Sequence, residues 1–212
     1  MTIRIGDIAP NFTQQSSIGE LDFHSAIEGS WALLFSHPRN YTAVCTTEFG
    51  SVAQLKPEFD RRGVKLVGLS VDAPETHDAW AEDIERIFET EVDFPVIADT
   101  DASVSVLYDM LVDPVDKSHK ARSIFVIDPL KKIRFIAIYP EGTGRNYHEV
   151  LRVIDSLQLT SSQSVLTPAN WHPGEDAVIP TRIQDPEELQ RLFPQGFRTV
   201  TPYLRFVSTT ER

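Results

Sequence analysis

The chain has a single cysteine, Cys45, and it stands where a thiol gains reactivity. The segment Ser36-His37-Pro38-Arg39-Asn40-Tyr41-Thr42-Ala43-Val44-Cys45-Thr46-Thr47-Glu48 follows an apolar run and opens a helical pattern. The first turn of a helix has unpaired N–H groups and a partial positive charge. A thiol placed there is favoured as thiolate, the form that attacks electrophiles. Thr42 offers a hydroxyl that either caps the helix or enters the same pocket. Pro38 stiffens the loop and shields one side of it. Spacing alone leaves a second reading open, in which Cys45 is a small buried hydrophobe.

The elements that must hold this segment appear as an alternation. Trp31-Ala32-Leu33-Leu34-Phe35, Lys65 to Val71, Phe94 to Ile97 and Ser123 to Ile127 predict buried strands. Ile133 to Tyr139 predicts another, and Asp128-Pro129 with Lys131-Lys132 suits the hairpin turn before it. Between them, Trp80, Ile84, Ile87 and Phe88 fall on one helix face after Pro74. Tyr147, Val150, Leu151, Ile154 and Leu157 repeat that spacing. A helix is expected from about Val44 to Arg62, with Phe49, Val52, Ala53 and Phe59 inward, a kink at Pro57 and a stop at Gly63. Strands alternating with helices predict an α/β layered fold around a central mixed β-sheet.

Around Thr160-Ser161-Ser162-Gln163-Ser164 the texture becomes that of a polar linker. The stretch after it contains Pro168, Pro173, Pro180, Pro186, Pro194 and Pro202, with Trp171, Phe193, Phe197, Tyr203, Leu204 and Phe206. So short and proline-rich a segment is expected to pack on the main domain or a second subunit rather than on itself. The expected division is a main domain over 1–160 and a small C-terminal domain over 165–212.

Composition narrows the function classes. A chain of 212 residues with a formal net charge of −11 lacks the clustered cations that phosphate contacts need, so no nucleic-acid partner is expected. No apolar run approaches the ~20 residues of a membrane helix, and MTIRIGDIAPNF has no charged-then-apolar signal layout. One cysteine allows neither an internal disulfide nor a Cys-rich zinc site. The six histidines form no HExxH pair, so no metal or other cofactor is expected. A cytoplasmic location is the default.

The pattern Pro38-x-x-x-Thr42-x-x-Cys45 resembles the signature of the peroxiredoxins, thiol peroxidases on a thioredoxin-like fold. Three further blocks are similar to that family in the same order. Ala121-Arg122-Ser123-Ile124-Phe125-Val126-Ile127-Asp128 resembles the strand bearing its site arginine. Thr143-Gly144-Arg145-Asn146-Tyr147 resembles the loop carrying a second arginine. Thr167-Pro168-Ala169-Asn170-Trp171-His172-Pro173-Gly174 resembles the C-terminal domain of the one-cysteine class. The chain departs from the pattern at Ala43, where the family usually has Pro, and at Asn40, where Asp is common. Neither position supplies a reacting group; altered loop rigidity is expected.

The resemblance implies that Cys45 attacks a peroxide and becomes a sulfenic acid. It implies Cys45, Thr42, Arg122 and Pro38 as the catalytic set, with Arg145, His37 and Glu48 in support. Thiolate formation alone contributes little. Lowering a thiol pKa from ~8.5 to ~6 raises the ionised fraction about 30-fold at pH 7. A nucleophilicity slope of ~0.4–0.5 returns roughly tenfold of that. The larger effect must come from donors aimed at the leaving oxygen, and Arg122 leads for that work. Glu48 is expected to orient Arg122 or Arg145. The plainer alternatives are a solvated helix acid for Glu48, a surface arginine for Arg145 and a packed loop histidine for His37.

With no second thiol, recycling requires an external thiol reductant, glutathione or a thioredoxin-like protein. The C-terminal segment suggests a homodimer, with higher oligomers open. The alternative function is a redox sensor or holdase switched by Cys45 oxidation, separable by turnover. Some one-cysteine members carry a second, phospholipase activity on Gly-x-Ser-x-Gly with His and Asp. Here the stretch is Glu28-Gly29-Ser30-Trp31-Ala32, and Leu130 stands where the Asp would be. His24 therefore has no acid to orient it, and no triad is expected.

Overall fold

The computed structural model describes residues 3–111 and 121–209. They form two compact units, dividing between Tyr147 and His148. The first runs β1 (Thr13–Ser16), β2 (Gly19–Asp22), α1 (Phe23–Ala26), β3 (Trp31–Ser36), α2 (Ala43–Arg61), β4 (Val64–Ser70), α3 (Pro74–Phe88), β5 (Val96–Ala98), α4 (Ser103–Leu107), β6 (Ala121–Ile127) and β7 (Ile133–Pro140). Its seven strands form one sheet in the order β2-β1-β5-β4-β3-β6-β7. β3 runs parallel to β4, and β4 to β5, while β6 is antiparallel to β3. This is a mixed sheet with crossover helices, the thioredoxin-like peroxiredoxin fold.

The central strands are buried along nearly their whole length, as their uninterrupted apolar runs require. Leu34 of β3 lies opposite Val67 of β4 on one side and Phe125 of β6 on the other. One core cluster joins Leu34, Val67, Leu69, Ile97 and Phe125 to Phe23, Tyr108 and Met110. At the β6–β7 turn, Asp128 Oδ1 accepts from the backbone N–H groups of Leu130 and Lys132, both at 2.9 Å.

α2 covers the expected span and runs through Pro57. Gly63 adopts φ +64°, the left-handed conformation that closes a helix at little cost to glycine. α3 buries His77, Trp80 and Ile84. Ile87, expected on the same face, is 56% exposed: α3 turns only part of its apolar stripe inward.

The second unit corrects two expectations. The polar run at 160–164 is no linker, because α5 (Tyr147–Ser162) continues through Ser162. Serine and threonine sit there without breaking the helix, Ser162 Oγ donating back to the Gln158 carbonyl at 2.9 Å. The C-terminal stretch also builds a small core of its own. Val165, Ala177, Ile179, Ile183, Leu189, Phe193 and Val207 cluster with Leu159 near the end of α5. β8 (Ala177–Val178), α6 (Pro186–Leu192), β9 (Arg198–Thr201) and β10 (Leu204–Val207) complete it, with sheet order β8-β10-β9. Trp171 is buried as well, its indole N–H donating to the Glu175 carbonyl at 3.0 Å. Tyr203 and Val200 remain 70% and 52% exposed.

Candidate active site

Cys45 is fully buried in the first turn of α2. The turn starts abruptly because Tyr41 holds a left-handed φ of 55° and Thr42 is extended. For a residue with a Cβ, the left-handed conformation costs about 1–3 kcal/mol, so its surroundings must hold it. Asn40 does much of that holding. Its backbone N–H donates to Asp72 Oδ2 at 2.8 Å and its side chain bonds Thr76, His77 and His37.

Thr42 caps α2 through its backbone carbonyl, which accepts from Thr46 N–H at 2.9 Å. Its side chain makes no cap bond. The hydroxyl instead donates to the Arg39 carbonyl at 3.0 Å, leaving lone pairs to accept with. Ala43, Val44 and Cys45 thus present N–H groups that no helical carbonyl can reach.

The hydrogen-bond partner of the sulfur comes from β6, and the groups that hold that partner come from α2 and from the segment after β7. Arg122 on β6 brings Nη1 to 3.3 Å from Cys45 Sγ and to 2.8 Å from Glu48 Oε2. Its Nε donates to the Glu141 carbonyl at 2.9 Å, which fixes the plane of the guanidinium. Arg145, from the loop before α5, meets the same carboxylate: Nε to Oε1 at 2.9 Å, Nη2 to Oε2 at 2.7 Å and its backbone N–H to Oε1 at 2.8 Å. Nη1 of Arg145 donates to the Ser123 carbonyl at 3.0 Å. Its guanidinium lies 5.5 Å from the ring centroids of both Phe35 and Tyr147. Burial pushes the Tyr147 phenol up, so that wall stays neutral.

Glu48, Arg122 and Arg145 are all buried, so the solvated-acid and surface-arginine alternatives do not describe this fold. Two guanidinium charges face one carboxylate. The buried cluster is one negative charge short, and the Cys45 sulfur lies beside it.

His37 and Pro38 are buried beside this cluster in sequence but in a different setting. His37 Nε2 lies 2.7 Å from Asn40 Oδ1, and its ring packs on Phe49 and Trp80 at 4.6 and 5.1 Å between centroids. The structure therefore joins Cys45, Glu48, Arg122 and Arg145 directly, and ties His37 to α3 through Asn40. Thr42 is exposed at the mouth. Sequence reasoning missed Asn40, Thr76, His77 and Glu141 as supports. Asn40 stood inside the motif; nothing local marks a histidine on α3 or a backbone carbonyl beyond β7.

The phospholipase-like residues are engaged elsewhere. Ser30 Oγ donates to the Glu28 carbonyl at 3.5 Å, and His24 Nε2 meets the Ala9 carbonyl at 2.7 Å. Among the described residues no group of three or more His, Cys, Asp or Glu could hold a metal ion.

Comparison with known proteins agrees with this geometry. Residues 5–136 match the model of the AhpC/TSA family, and residues 156–193 match the C-terminal domain of 1-Cys peroxiredoxin. The chain is 48% identical to the mitochondrial peroxiredoxin PRX1 of Saccharomyces cerevisiae, over 98% of this chain and 81% of that protein. It is 46% identical to peroxiredoxin-6 of Rattus norvegicus, over 92% and 90% respectively. The solved structure of the yeast mitochondrial 1-Cys peroxiredoxin superposes with a TM-score of 0.92 at 47% identity, covering 98% of this chain and 100% of that one. The lone cysteine at a helix start, the buried guanidinium on its sulfur and the matched C-terminal unit place this chain in the AhpC/TSA family as a one-cysteine peroxiredoxin, a thiol-dependent peroxidase.

Proposed function

We propose that Cys45 reduces hydrogen peroxide and small organic hydroperoxides. The observation that carries this is the single Nη1 of Arg122 shared between Cys45 Sγ and Glu48. The Cys45 thiolate attacks one peroxide oxygen. An S–O bond forms as the O–O bond breaks, and the departing oxygen leaves as water or an alcohol after taking a proton. The sulfur is left as sulfenic acid.

Charge develops on the leaving oxygen, so donors already in place there contribute most. Nη2 of Arg122, which bonds no described residue, and the free N–H groups of the first turn of α2 suit that work. Thr42 Oγ1 accepts the peroxide O–H in its present rotamer, which positions the substrate. Pro38 excludes water from one side, and His37 holds the loop through Asn40. Glu48 and Arg145 act through Arg122, as positioning residues.

An external thiol completes the cycle. It condenses with the sulfenic acid, releasing water and forming a mixed disulfide; a second thiol then frees Cys45. The yeast relative resolves its thiol via glutathione/thioredoxin systems, and glutathione or a thioredoxin-like protein is proposed for this chain too. Because Cys45 is wholly buried, the thiol reaches the sulfur only after its surroundings open. A free thiol suits a reducing compartment such as the cytoplasm. Among the described residues no helix is long and apolar enough to cross a membrane.

A homodimer is proposed through β7, the edge strand of the large sheet, beyond the Ile133 end that Gly6 and Asp7 pair with and where Ile138 is 61% exposed. The test of the whole reading is peroxide consumption with excess thiol, for wild type and Cys45→Ser. Many turnovers per chain that vanish in the variant support it. Consumption that stops near one peroxide per chain assigns the protein to the sensor class instead.

A further inference from the structure

α3 grips the active-site loop at two points. Trp80 Nε1–H donates to Thr46 Oγ1 at 3.2 Å, and Thr46 Oγ1 donates in turn to the Thr42 carbonyl at 2.8 Å. Trp80 also packs on the His37 ring, 5.1 Å between centroids. The second tie runs through Asn40 to His77, which is 2% exposed.

The hydrogens of that second tie follow from Thr76. Its Oγ1 donates to the Ala73 carbonyl at 2.7 Å, so it accepts from Asn40 Nδ2 at 3.1 Å. That orients the amide. The other Nδ2 hydrogen goes to His77 Nδ1 at 2.9 Å, and Asn40 Oδ1 accepts from His37 Nε2–H at 2.7 Å. With Nδ1 accepting, the neutral His77 ring carries its proton on Nε2, which faces the Ile97 carbonyl. The donors all point one way, from His37 through Asn40 and His77 toward β5. A proton on His77 Nδ1 does not fit this chain, because it sets N–H against N–H across 2.9 Å. Turning the amide over relieves that clash only by setting Nδ2 against His37 Nε2–H and drawing the Thr76 proton off the Ala73 carbonyl.

Charges around the ring favour the cation. Asp72 just past β4, Asp78 on α3 and the Ile97 carbonyl of β5 all act in that direction, and Glu91 and Asp93 line the cavity beside it. His37 faces it from the loop, with 6.5 Å between ring centroids. Burial outweighs these and pushes the His77 pKa below its ordinary 6.5, so the ring is neutral at pH 7.

We propose that His77 is a positioning residue for peroxide reduction: neutral, its Nδ1 fixes the Asn40 amide and through it His37 and the loop that carries Thr42; protonated, it breaks that chain and the peroxide step slows. This role rests on the peroxidase reading and names the group on α3 that sets the loop.

Two reactions of Cys45 test it by stopped flow, from about pH 8 down to about pH 4.5: reduction of hydrogen peroxide, and alkylation by iodoacetamide. Both need the thiolate, so their ratio cancels its titration; only the first needs Thr42 in place. Neither needs recycling, so the ratio is read whatever the turnover. The wild-type ratio should hold above pH 6.5 and fall at least about tenfold below it. His77→Asn keeps an acceptor near the Nδ1 position that takes no proton. Its ratio should stay flat and exceed that of His77→Leu, which has no acceptor, by about tenfold at pH 7. Asn40→Asp accepts from Nδ1–H of the neutral or the cationic ring, so its ratio should be flat too. In ¹⁵N NMR spectra of the Cys45→Ser protein the His77 proton should sit on Nε2, and on Nδ1 once Asn40→Asp is added. A histidine that only fills space would leave the pH profile the same in His77→Asn. The proposal is overturned by a flat wild-type ratio, by an acid limb that survives in His77→Asn, or by a His77 proton on Nδ1 in the Cys45→Ser protein. No peroxide reaction in the wild type is the failure of the peroxidase reading and takes this role with it; a peroxide reaction with a flat ratio is the failure of this role alone.

Discussion

Replacing Arg122 by lysine keeps the positive charge and removes the fork. In the native site Nε reaches the Glu141 carbonyl at 2.9 Å while Nη1 serves Glu48 at 2.8 Å and Sγ at 3.3 Å. Nη2 is left over for the leaving oxygen. A lysine ammonium donates from one point and cannot span these positions. It will follow the Glu48 carboxylate, because a charge-assisted bond between full charges is the stronger one. The substrate then loses a preorganised donor, which in comparable sites costs about 10²–10³ in rate, or ~2.7–4 kcal/mol.

Two reactions followed by stopped flow separate this cause from a change in the sulfur itself. Peroxide reduction needs help at the departing oxygen; alkylation by iodoacetamide does not, yet both need the thiolate. Loss of thiolate stabilisation is partly returned as nucleophilicity, so alkylation should change by no more than about threefold. The peroxide rate should fall by about 10²–10³. Equal falls in both reactions would refute the oxygen-side argument. So would a peroxide rate within about threefold of wild type in a variant that melts normally.

Glu48→Gln leaves two buried guanidinium groups facing a neutral amide, and unfolding free energy should drop by about 3–5 kcal/mol in urea titrations. A Cβ at Gly50 would lie 2.5 Å from the Phe88 ring, so Gly50→Ala should cost about 1–3 kcal/mol, with partial recovery on adding Phe88→Leu. Asp22 accepts from Ser25 N–H at the start of α1 and from Asn11, and these bonds hold its carboxyl down at about 2. A depressed carboxyl stabilises the fold above its unfolded pKa of 3.8 and loses that contribution as pH falls through about 2. The penalty of Asp22→Asn in thermal melts should therefore shrink between about pH 4 and pH 2.

Fold and site were legible to different depths. β3, β4 and β6 announced themselves because strands buried on both faces need unbroken apolar runs, and β7 showed through its own apolar residues although only Ile133 is buried. The β1–β2 hairpin escaped because Thr13-Gln14-Gln15-Ser16 and Gly19-Glu20-Leu21-Asp22 are short polar strands with little to bury. Serine and threonine near 160 suggested a linker, but propensity is a weak guide where a helix end packs, and Leu159 anchors α5 to the second unit's core. The proline count misled in a similar way. Pro186 sits in the first turn of α6 behind the capping carboxylate of Asp185, a place where proline favours the helix.

At the site, the motif named the sulfur and its arginines but not why they stay aligned. That depends on contacts with no sequence signature. Glu48 accepts from the backbone of residue 145 as well as from both guanidinium groups, so one carboxylate ties α2 to β6 and to the turn before α5. Asn40 does the same for the loop, joining His37 to α3 and, through Asp72, to the end of β4, where Ser70 Oγ donates to that carboxylate at 3.0 Å. Each device places one polar side chain where three segments meet, and the helix start, given no side-chain cap by Thr42, keeps its first N–H groups free of one. A site built this way loses alignment when a tie is cut even though the sulfur is untouched. Variants of Glu48 and Asn40 should therefore depress peroxide reduction more than alkylation, which asks only for a sulfur anion that the reagent can reach and not for donors at a leaving oxygen.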